Sequence, residues 1–180
     1  MNQQELFSLL SEGKQNSLGK VIEVFDKVVA EELDVNSVYN LYRYEDQIVS
    51  MRVSNVLKRL WRNDEKFIIP LIETFIKDAK VLQNPTFRWT LSQIYKELFQ
   101  YLTPTQKVEL LAEVKRNLLI GDDWIMLAQS LDTLIFAHKK GFSIQDVMSV
   151  IEALEIDHRK VIRNKIEKIK NLLLNKKETF

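Results

Sequence analysis

The sequence predicts an all-α protein built from antiparallel helix pairs, and three observations support this prediction. Glycine and proline are scarce, with four and three among 180 residues, so few positions call for a turn or a positive φ. The helix formers leucine, lysine, glutamate and glutamine dominate the chain. Apolar residues recur at spacings of three and four, the period of a helix with one buried face. This length suits one domain without a metal or disulfide, so we expect a single domain over residues 1–180.

Ten helices can be placed from their start and stop residues. They cover 3–12, 18–32, a short stretch after Asp34, 46–62, 65–79, 85–101, 103–119, 122–138, 143–154 and 157–175. Residues 1–16 are expected to form an N-terminal cap helix. Residues 157–180 are expected to form a basic C-terminal capping helix and a tail, because the ends of a repeat array need a polar cover.

Local signals fix several of these boundaries. Asp34 is a typical N-cap residue, and Pro85 suits the first turn of a helix. Thr103 and Gln106 have the spacing of a capping box, with a proline at the first helical position between them. Gly121 is expected to end one helix before the next begins. The helix over 18–32 has a continuous apolar stripe predicted to be buried, which consists of Val21, Ile22, Val24, Phe25, Val28 and Val29.

The stretch Asp122-Asp123-Trp124 has two interpretations. Paired carboxylates can share a proton or hold a metal ion. Aspartates at a helix start also accept hydrogen bonds from free backbone N–H groups and suit the helix dipole. Trp124 begins an apolar stripe, as a core residue would, and no second acidic cluster accompanies the pair. We therefore interpret the two aspartates as a helix cap and Trp124 as part of the core.

The helices repeat in pairs along the chain. A hydrophobic pair spaced i, i+3 recurs at steps of 38, 36 and 35 residues, at Leu57/Leu60, Tyr95/Leu98, Leu131/Leu134 and Ile166/Ile169. A single helix pair of this length cannot bury its apolar face alone, whereas a stack of pairs forms one continuous core. The repeat predicts an α-α superhelix, a right-handed solenoid of about four to five antiparallel helix pairs.

Two segments carry a resemblance to a known class of repeats. The stretches MRVSNVLKRLWRNDEKFIIPLI at 51–72 and FRWTLSQIYKELFQYLTPTQKVELLAEV at 87–114 resemble HEAT or armadillo-like repeats, in which an arginine often opens the first helix. Arg52 and Arg88 stand near that position, while the third repeat has Trp124 there. The layout is similar to that of small bacterial HEAT-like proteins. The resemblance implies a solenoid over about 17–175 and leaves the activity open.

Composition and motifs exclude several chemical classes. The chain has no cysteine and two histidines, and no histidine pair at metal-binding spacing, so we expect neither a metal site nor thiol chemistry. Its four glycines form no phosphate-binding loop, and we expect no cofactor. The N-terminus lacks a signal-peptide pattern, and the longest apolar run, FIIPLI at 67–72, is too short to cross a bilayer. We therefore expect a cytoplasmic, non-enzymatic protein that does not bind membranes.

Basic residues form two candidate surfaces. Arg52, Arg59 and Arg62 lie on one face of a predicted helix and are candidate partner-binding residues. Residues 157–178 contain eight Lys or Arg against three Asp or Glu, although the whole chain has a net charge of only +1. This helix could grip phosphates, as HEAT-like alkylpurine DNA glycosylases hold DNA. The nucleic-acid alternative would use Arg159, Lys160, Arg163 and Lys170, whereas the other interpretation is a solvated outer face.

Aromatic residues on polar helix faces mark the preferred site. Trp89 lies on the polar side of its helix beside Arg88, and Tyr42 lies beside Arg43. Tryptophan and arginine are frequent anchors of protein interfaces, although both groups could instead pack between repeats. The sequence therefore predicts a protein-protein interaction scaffold, monomeric or weakly dimeric, that binds a protein partner of unknown identity. A nucleic-acid-binding protein and a small-molecule enzyme are the alternatives.

Overall fold

The computed structural model describes residues 1–15, 17–82, 84–121 and 123–174, and these ranges are helical without any strand. Their α-helices are α1 (Gln3–Ser11), α2 (Val21–Val29), α3 (Val35–Tyr39), α4 (Gln47–Asn63), α5 (Ile72–Ala79), α6 (Pro85–Leu98), α7 (Pro104–Ile120), α8 (Trp124–Lys139), α9 (Met148–Ala153) and α10 (Lys160–Leu174). Short 3₁₀ turns precede or follow several of them. The predicted all-α class is confirmed.

The predicted caps occur where the sequence placed them. Asp34 accepts a hydrogen bond from the backbone N–H of Asn36 at 3.0 Å. Thr103 and Gln106 form a reciprocal capping box at the start of α7. Gly121 ends α7 with a φ of 63°, in the left-handed region. Asp123 caps α8 by accepting from the N–H of Met126 at 2.8 Å, and Asp122 lies outside the described residues.

Several helices are shorter than predicted: the one expected over 18–32 is limited to Val21–Val29, and two others begin as 3₁₀ turns. The helix predicted over 65–79 begins as two 3₁₀ turns, Glu65–Phe67 and Ile69–Leu71, before α5 starts at Ile72. Pro70 causes this, because its ring removes one backbone donor and clashes with the carbonyl four residues earlier in an α-helix. The helix predicted over 143–154 likewise begins as a 3₁₀ turn and becomes α-helical only at Met148.

The chain forms two compact units, and the boundary falls inside α6. The first unit comprises Met1–Leu91, and the second starts at Ser92. In the first unit α4 is the central helix, contacted by α1, α2 and α3. In the second unit α7 contacts α8 and α9, and α8 contacts α10. Helices in this second unit thus touch neighbours that are next and next but one in sequence.

Aromatic side chains fill the core of the first unit. Tyr39 and Tyr42 are 1% and 0% exposed, and both rings make edge contacts with Phe87. Tyr39 also packs on Phe75 with ring centroids 5.3 Å apart. Such tilted contacts suit the ring quadrupoles and add to the burial of apolar area. The core therefore carries two phenol groups whose hydroxyls need hydrogen-bond partners.

The apolar stripe predicted on α2 is only half buried. Val21, Val24 and Val28 are at most 3% exposed, whereas Ile22 is 46% and Val29 38% exposed. The reason is geometric, because α2 packs on α4 and one neighbouring helix covers only part of an apolar face as broad as this one.

Trp124 does not belong to the core of the second unit. Its side chain is 49% exposed, so the prediction that it begins a buried stripe was wrong. The following members of that stripe, Leu127, Leu131 and Leu134, are fully buried. Trp124 is the first residue of α8 and lies at the end of the packed length of the helix. None of the described helices is long and apolar enough to span a membrane.

Candidate functional site

Arg52 is a buried residue of α4 rather than a surface residue. Its side chain is 0% exposed, and its guanidinium donates to backbone carbonyls in the last turn of α1 and in the segment that links α1 to α2. Nη1 donates to the carbonyls of Leu10 at 2.6 Å and Glu12 at 2.5 Å, and Nη2 donates to that of Lys14 at 2.9 Å. Nε donates to the carbonyl of Ser17 at 3.2 Å. Burial removes Arg52 from the surface that the sequence suggested for a partner.

Gly19 lets this segment lie directly against the guanidinium. A Cβ at this position would lie 2.8 Å from Cζ and 2.9 Å from Nη1 of Arg52. The residue also has a φ of 52°, which favours glycine. Arg52 therefore holds the segment through hydrogen bonds, and Gly19 permits the close approach.

A cleft of the first unit lies beside this fastened segment. It has a volume of about 350 Å³, within the range of typical ligand sites. The segment contributes Gln15, whereas α4 and α6 contribute the remaining lining residues. These are Gln47, Ile48, Met51, Ser54, Asn55, Lys58, Thr86 and Trp89. Trp89, chosen from the sequence as an interface anchor, is half-buried and lines this cleft.

The polar groups of the cleft can bind a peptide backbone. The side-chain amides of Gln15, Gln47 and Asn55 each offer both donors and an acceptor. Asn55 donates one hydrogen bond to the carbonyl of Met51 at 3.0 Å. Gln15 and Gln47 are exposed and make no hydrogen bond through their side chains within the described parts of the chain. Amides match the alternating donors and acceptors of an extended chain.

Lys58 gives the cleft its positive charge. It is the charged member among the described lining residues, and Arg62 lies one turn further along α4. Partial burial lowers the pKa of the Lys58 ammonium, and the positive charge of Arg62 lowers it further. Burial and the charge of Arg62 both destabilise the charged form of Lys58. An anionic group bound next to Lys58 would offset this destabilisation, so the position favours a negative charge.

A buried hydroxyl network supports the floor of the cleft. Ser54 donates to the carbonyl of Ser50 at 2.9 Å, which uses its single proton. Tyr42 therefore donates to Ser54 Oγ, 2.6 Å away. Burial raises the pKa of Tyr42 to about 12. Tyr42, suggested from the sequence as a contact residue, thus has a role inside the core.

Arg43 forms an ion pair at the edge of the same core. It donates to Asp78 Oδ2 at 2.9 Å, and Tyr39 donates to the same oxygen at 2.7 Å. The Asp78 side chain is 9% exposed and that of Arg43 is 48% exposed. Burial and the bond to Asp78 raise the pKa of Tyr39 far above its usual value. Arg43 thereby neutralises a buried carboxylate.

The remaining residues predicted in the first unit have mixed positions. Arg62 is exposed in the last turn of α4, and Arg59 is half-buried. Arg88 is half-buried next to Trp89 in the first turns of α6. The structure therefore separates the predicted set, because Trp89 lines the cleft while Arg52 and Tyr42 are internal.

The basic residues suggested for nucleic acid belong to the second unit, and most of them make contacts within it. Arg159 forms an ion pair with Asp157, and Lys170 forms one with Glu155. Arg163 donates to the carbonyls of Asp157 at 2.9 Å and His158 at 2.6 Å. Arg159 holds the pKa of Asp157 at about 2, mainly through the side-chain hydrogen bond.

Lys160 is exposed at the start of α10. It makes no hydrogen bond or ion pair within the described segments. The predicted phosphate-binding set therefore divides into one exposed lysine and three side chains that have contacts of their own.

Sequence reasoning missed two features of this site. The first is the set of carbonyls around Arg52. The only sign of these carbonyls in the sequence is the polar segment from Glu12 to Gly19, because the backbone of such a segment needs hydrogen-bond donors from elsewhere. The second is the contribution of Gln15, which depends on how that segment is held. Across the described residues, no three acidic or histidine side chains gather as a metal site would require.

The chain was compared with known proteins in three ways. No protein-family model matches it, and no curated protein and no solved structure matches it significantly.

Proposed function

We propose that the chain is a non-enzymatic scaffold that binds a segment of a partner protein in the cleft between α4 and α6. The observation that carries this proposal is the position of Trp89 in a cleft that also presents amide groups. A half-buried tryptophan offers a large apolar contact at low cost in side-chain entropy, which suits an interface anchor. The amides satisfy the backbone of the segment while the indole contacts one of its side chains.

The lining of the cleft also favours binding over catalysis. Its nine described residues include neither a carboxylate nor a histidine, so the general acid and base pairs of hydrolytic enzymes have no counterpart among them. We propose the HEAT-like solenoid as the scaffold. Its support is the pattern in the second unit, where α7 contacts α8 and α9. A cytoplasmic location and a monomeric or weakly dimeric state remain predictions from the sequence.

The test is affinity capture from lysate of the host, with half of each sample treated with nuclease. The wild type is compared with Trp89→Ala and with Trp124→Ala, a matched control because Trp124 is an exposed tryptophan of the other unit. We expect a protein that is captured by the wild type and the control in both halves and lost with Trp89→Ala. Trp89→Phe should retain most of the capture, because it keeps a ring in the cleft.

Two outcomes would contradict the proposal. Capture of the same protein by wild type and Trp89→Ala would remove the cleft as the binding site. Capture that disappears with nuclease would favour the nucleic-acid alternative and direct mutation to Lys160. Urea unfolding of Trp89→Ala checks that the variant is folded.

A further inference from the structure

Helix α2 carries a second apolar stripe that the described residues cover only in part. Leu18, just before the helix, is 42% exposed, Ile22 is 46% and Val29 is 38% exposed. Phe25 lies between them and is half-buried. These four residues, spaced by 4, 3 and 4, define the α2 face. The spacing puts Ile22, Phe25 and Val29 in one line along the helix, over about 10 Å at 1.5 Å per residue, and Leu18 precedes this line in the turn before α2.

The α2 face is distinct from the side of α2 that packs on α4. Val21, Val24 and Val28 point to the core of the first unit, and each is one position before a member of the stripe. One residue corresponds to a rotation of about 100° around the helix, so the two stripes are adjacent rather than identical. Exposing four large apolar side chains in a row costs solvation free energy without any gain in folding. Contiguous exposed apolar surface of this kind marks an interaction site.

Acidic residues border the α2 face on its solvent side. Glu23 and Asp26 are both exposed on this border, and Glu31 and Glu32 follow the C-terminal end of the helix. Lys20 forms an ion pair with Glu23 at 3.3 Å, and Lys27 forms one with Glu32 at 3.9 Å. Asp26 and Glu31 have no ion-pair partner within the residues that the structure describes.

A shallow depression of about 490 Å³ lies along this acidic border, lined by Ile22, Glu23, Asp26, Lys27, Ala30 and Glu32. The carbonyl end of a helix carries partial negative charge, which adds to the effect of the carboxylates. The border therefore attracts positive charge.

We propose that the α2 face binds a basic amphipathic helix of a partner protein. Apolar residues of that helix at i, i+3 or i+4 and i+7 pack on Ile22, Phe25 and Val29, as helices dock on one another by interlocking ridges. Lysine or arginine on one flank of the partner helix lies over Asp26 and Glu23. This surface is separate from the cleft that Trp89 lines.

Charge decides between such a partner and a second copy of this chain. An antiparallel pairing of two α2 helices around a two-fold axis would be compatible with the symmetric spacing of the stripe. In such a pair, the two-fold axis places the acidic border of one α2 helix on the same side as the acidic border of the other, so the two borders become neighbours. Glu23 and Asp26 of both copies would then repel one another, whereas a basic flank is attracted.

The test uses two synthetic peptides of roughly 18 residues, enough for about five helical turns. Both carry leucines at the 4-3-4 spacing, and one has lysines and the other glutamates on the flank. Affinity is measured by fluorescence anisotropy, and chemical-shift changes of the isotope-labelled protein locate the contact. We expect the lysine peptide to bind at least about fivefold more tightly than the glutamate peptide and to shift α2 amides.

Two variants with matched controls test the residues. Ile22→Ser should weaken binding of the lysine peptide about tenfold, whereas Val108→Ser, at an apolar position that is 64% exposed on α7, should not. Asp26→Lys should remove the preference for the lysine peptide. Its matched control is Glu73→Lys, which makes the same change in charge at an exposed position of α5.

Three results would overturn the proposal. The first is equal affinity for both peptides, and the second is an Ile22→Ser variant that binds the lysine peptide as the wild type does. The third is dimerisation in sedimentation velocity that Ile22→Ser abolishes, which would assign the α2 face to a second copy.

Discussion

Replacing Arg52 by methionine tests whether its guanidinium fastens the N-terminal segment. Methionine keeps most of the apolar volume and removes four hydrogen bonds to carbonyls. Bonds that involve a charged group contribute about 1.5–3 kcal/mol each when they are formed in isolation. They do not add up here, because three of the four carbonyls are only partly buried and can be rehydrated once the arginine is absent.

The carbonyl of Leu10 determines most of the expected loss. Its bond to Arg52 is buried, so this acceptor loses its partner without access to water, at about 1–3 kcal/mol. Loss of the three part-buried bonds, partly offset by rehydration of their carbonyls, adds about 1–2 kcal/mol, which gives a total of about 2–5 kcal/mol. A domain is typically stable by only about 5–15 kcal/mol, so this change is large.

Urea unfolding followed by circular dichroism measures this change. With a denaturant slope of about 2 kcal/mol per molar, a loss of 4 kcal/mol lowers the midpoint by about 2 M. Arg52→Lys should lose about half as much, because an ammonium group cannot bridge carbonyls on both sides of a guanidinium. Arg62→Met is the control, since Arg62 is exposed on the same helix, and should change stability by less than about 0.5 kcal/mol.

A methionine variant as stable as the wild type would refute this reasoning. Arg52 is a buried charge, and its removal also removes the cost of taking that charge out of water. Equal stability would mean that this cost offsets the four hydrogen bonds, and the segment would then be held by packing alone.

Three further predictions concern backbone conformation, pH and a buried carboxylate. Gly19→Ala should lower the free energy of unfolding by about 2–4 kcal/mol, because Gly19 has a positive φ and lies against the guanidinium of Arg52. Gly141 also has a positive φ, of 91°, but open space around it, so Gly141→Ala should lower it by only about 1–2 kcal/mol. Thermal unfolding measures both changes. The pKa of Tyr42 is raised to about 12 in the folded state, so the folded protein keeps a proton that the unfolded chain loses above pH 10. The free energy of unfolding therefore falls between pH 10 and 12. Tyr42→Phe should reduce this dependence when unfolding is measured as a function of pH. Asp78→Ala leaves the Tyr39 hydroxyl buried without its acceptor and should cost about 2–4 kcal/mol, whereas Asp78→Asn should cost less; equal losses in urea would contradict this role of the acceptor.

Helix positions could be predicted from the sequence because their signals are local. A capping box needs two residues three apart, and Thr103 with Gln106 provides one that the structure reproduces. Gly121 ended α7 for a similarly local reason. The start of α5 differs from the prediction because Pro70 interrupts an otherwise helical pattern.

Exposure and site geometry could not be predicted in the same way. An apolar stripe shows which face of a helix prefers burial, but the number of neighbouring helices decides how much of it is covered, as α2 demonstrates. Arg52 was expected at the surface because its spacing places it on one helix face with Arg59 and Arg62. Its acceptors are carbonyls, which every residue type provides, so the polar segment from Glu12 to Gly19 indicates a need for outside donors but does not identify Arg52 as the donor. Trp89 was chosen because a tryptophan on a polar helix face is unusual in itself, and its role as a partner-binding residue stays a prediction.

The contacts of Arg52 also constrain the order in which the chain folds. The four carbonyls are separated from Arg52 by 35 to 42 residues in sequence, so none of these bonds can form before a long loop has closed. The segment after α1 has few apolar contacts to hold it earlier. We therefore expect it to become protected from amide hydrogen exchange late in folding and to open first from the native state, together with α1, as one cooperative unit. In that case a partner that contacts Gln15 would slow hydrogen exchange throughout α1, at amides it never touches.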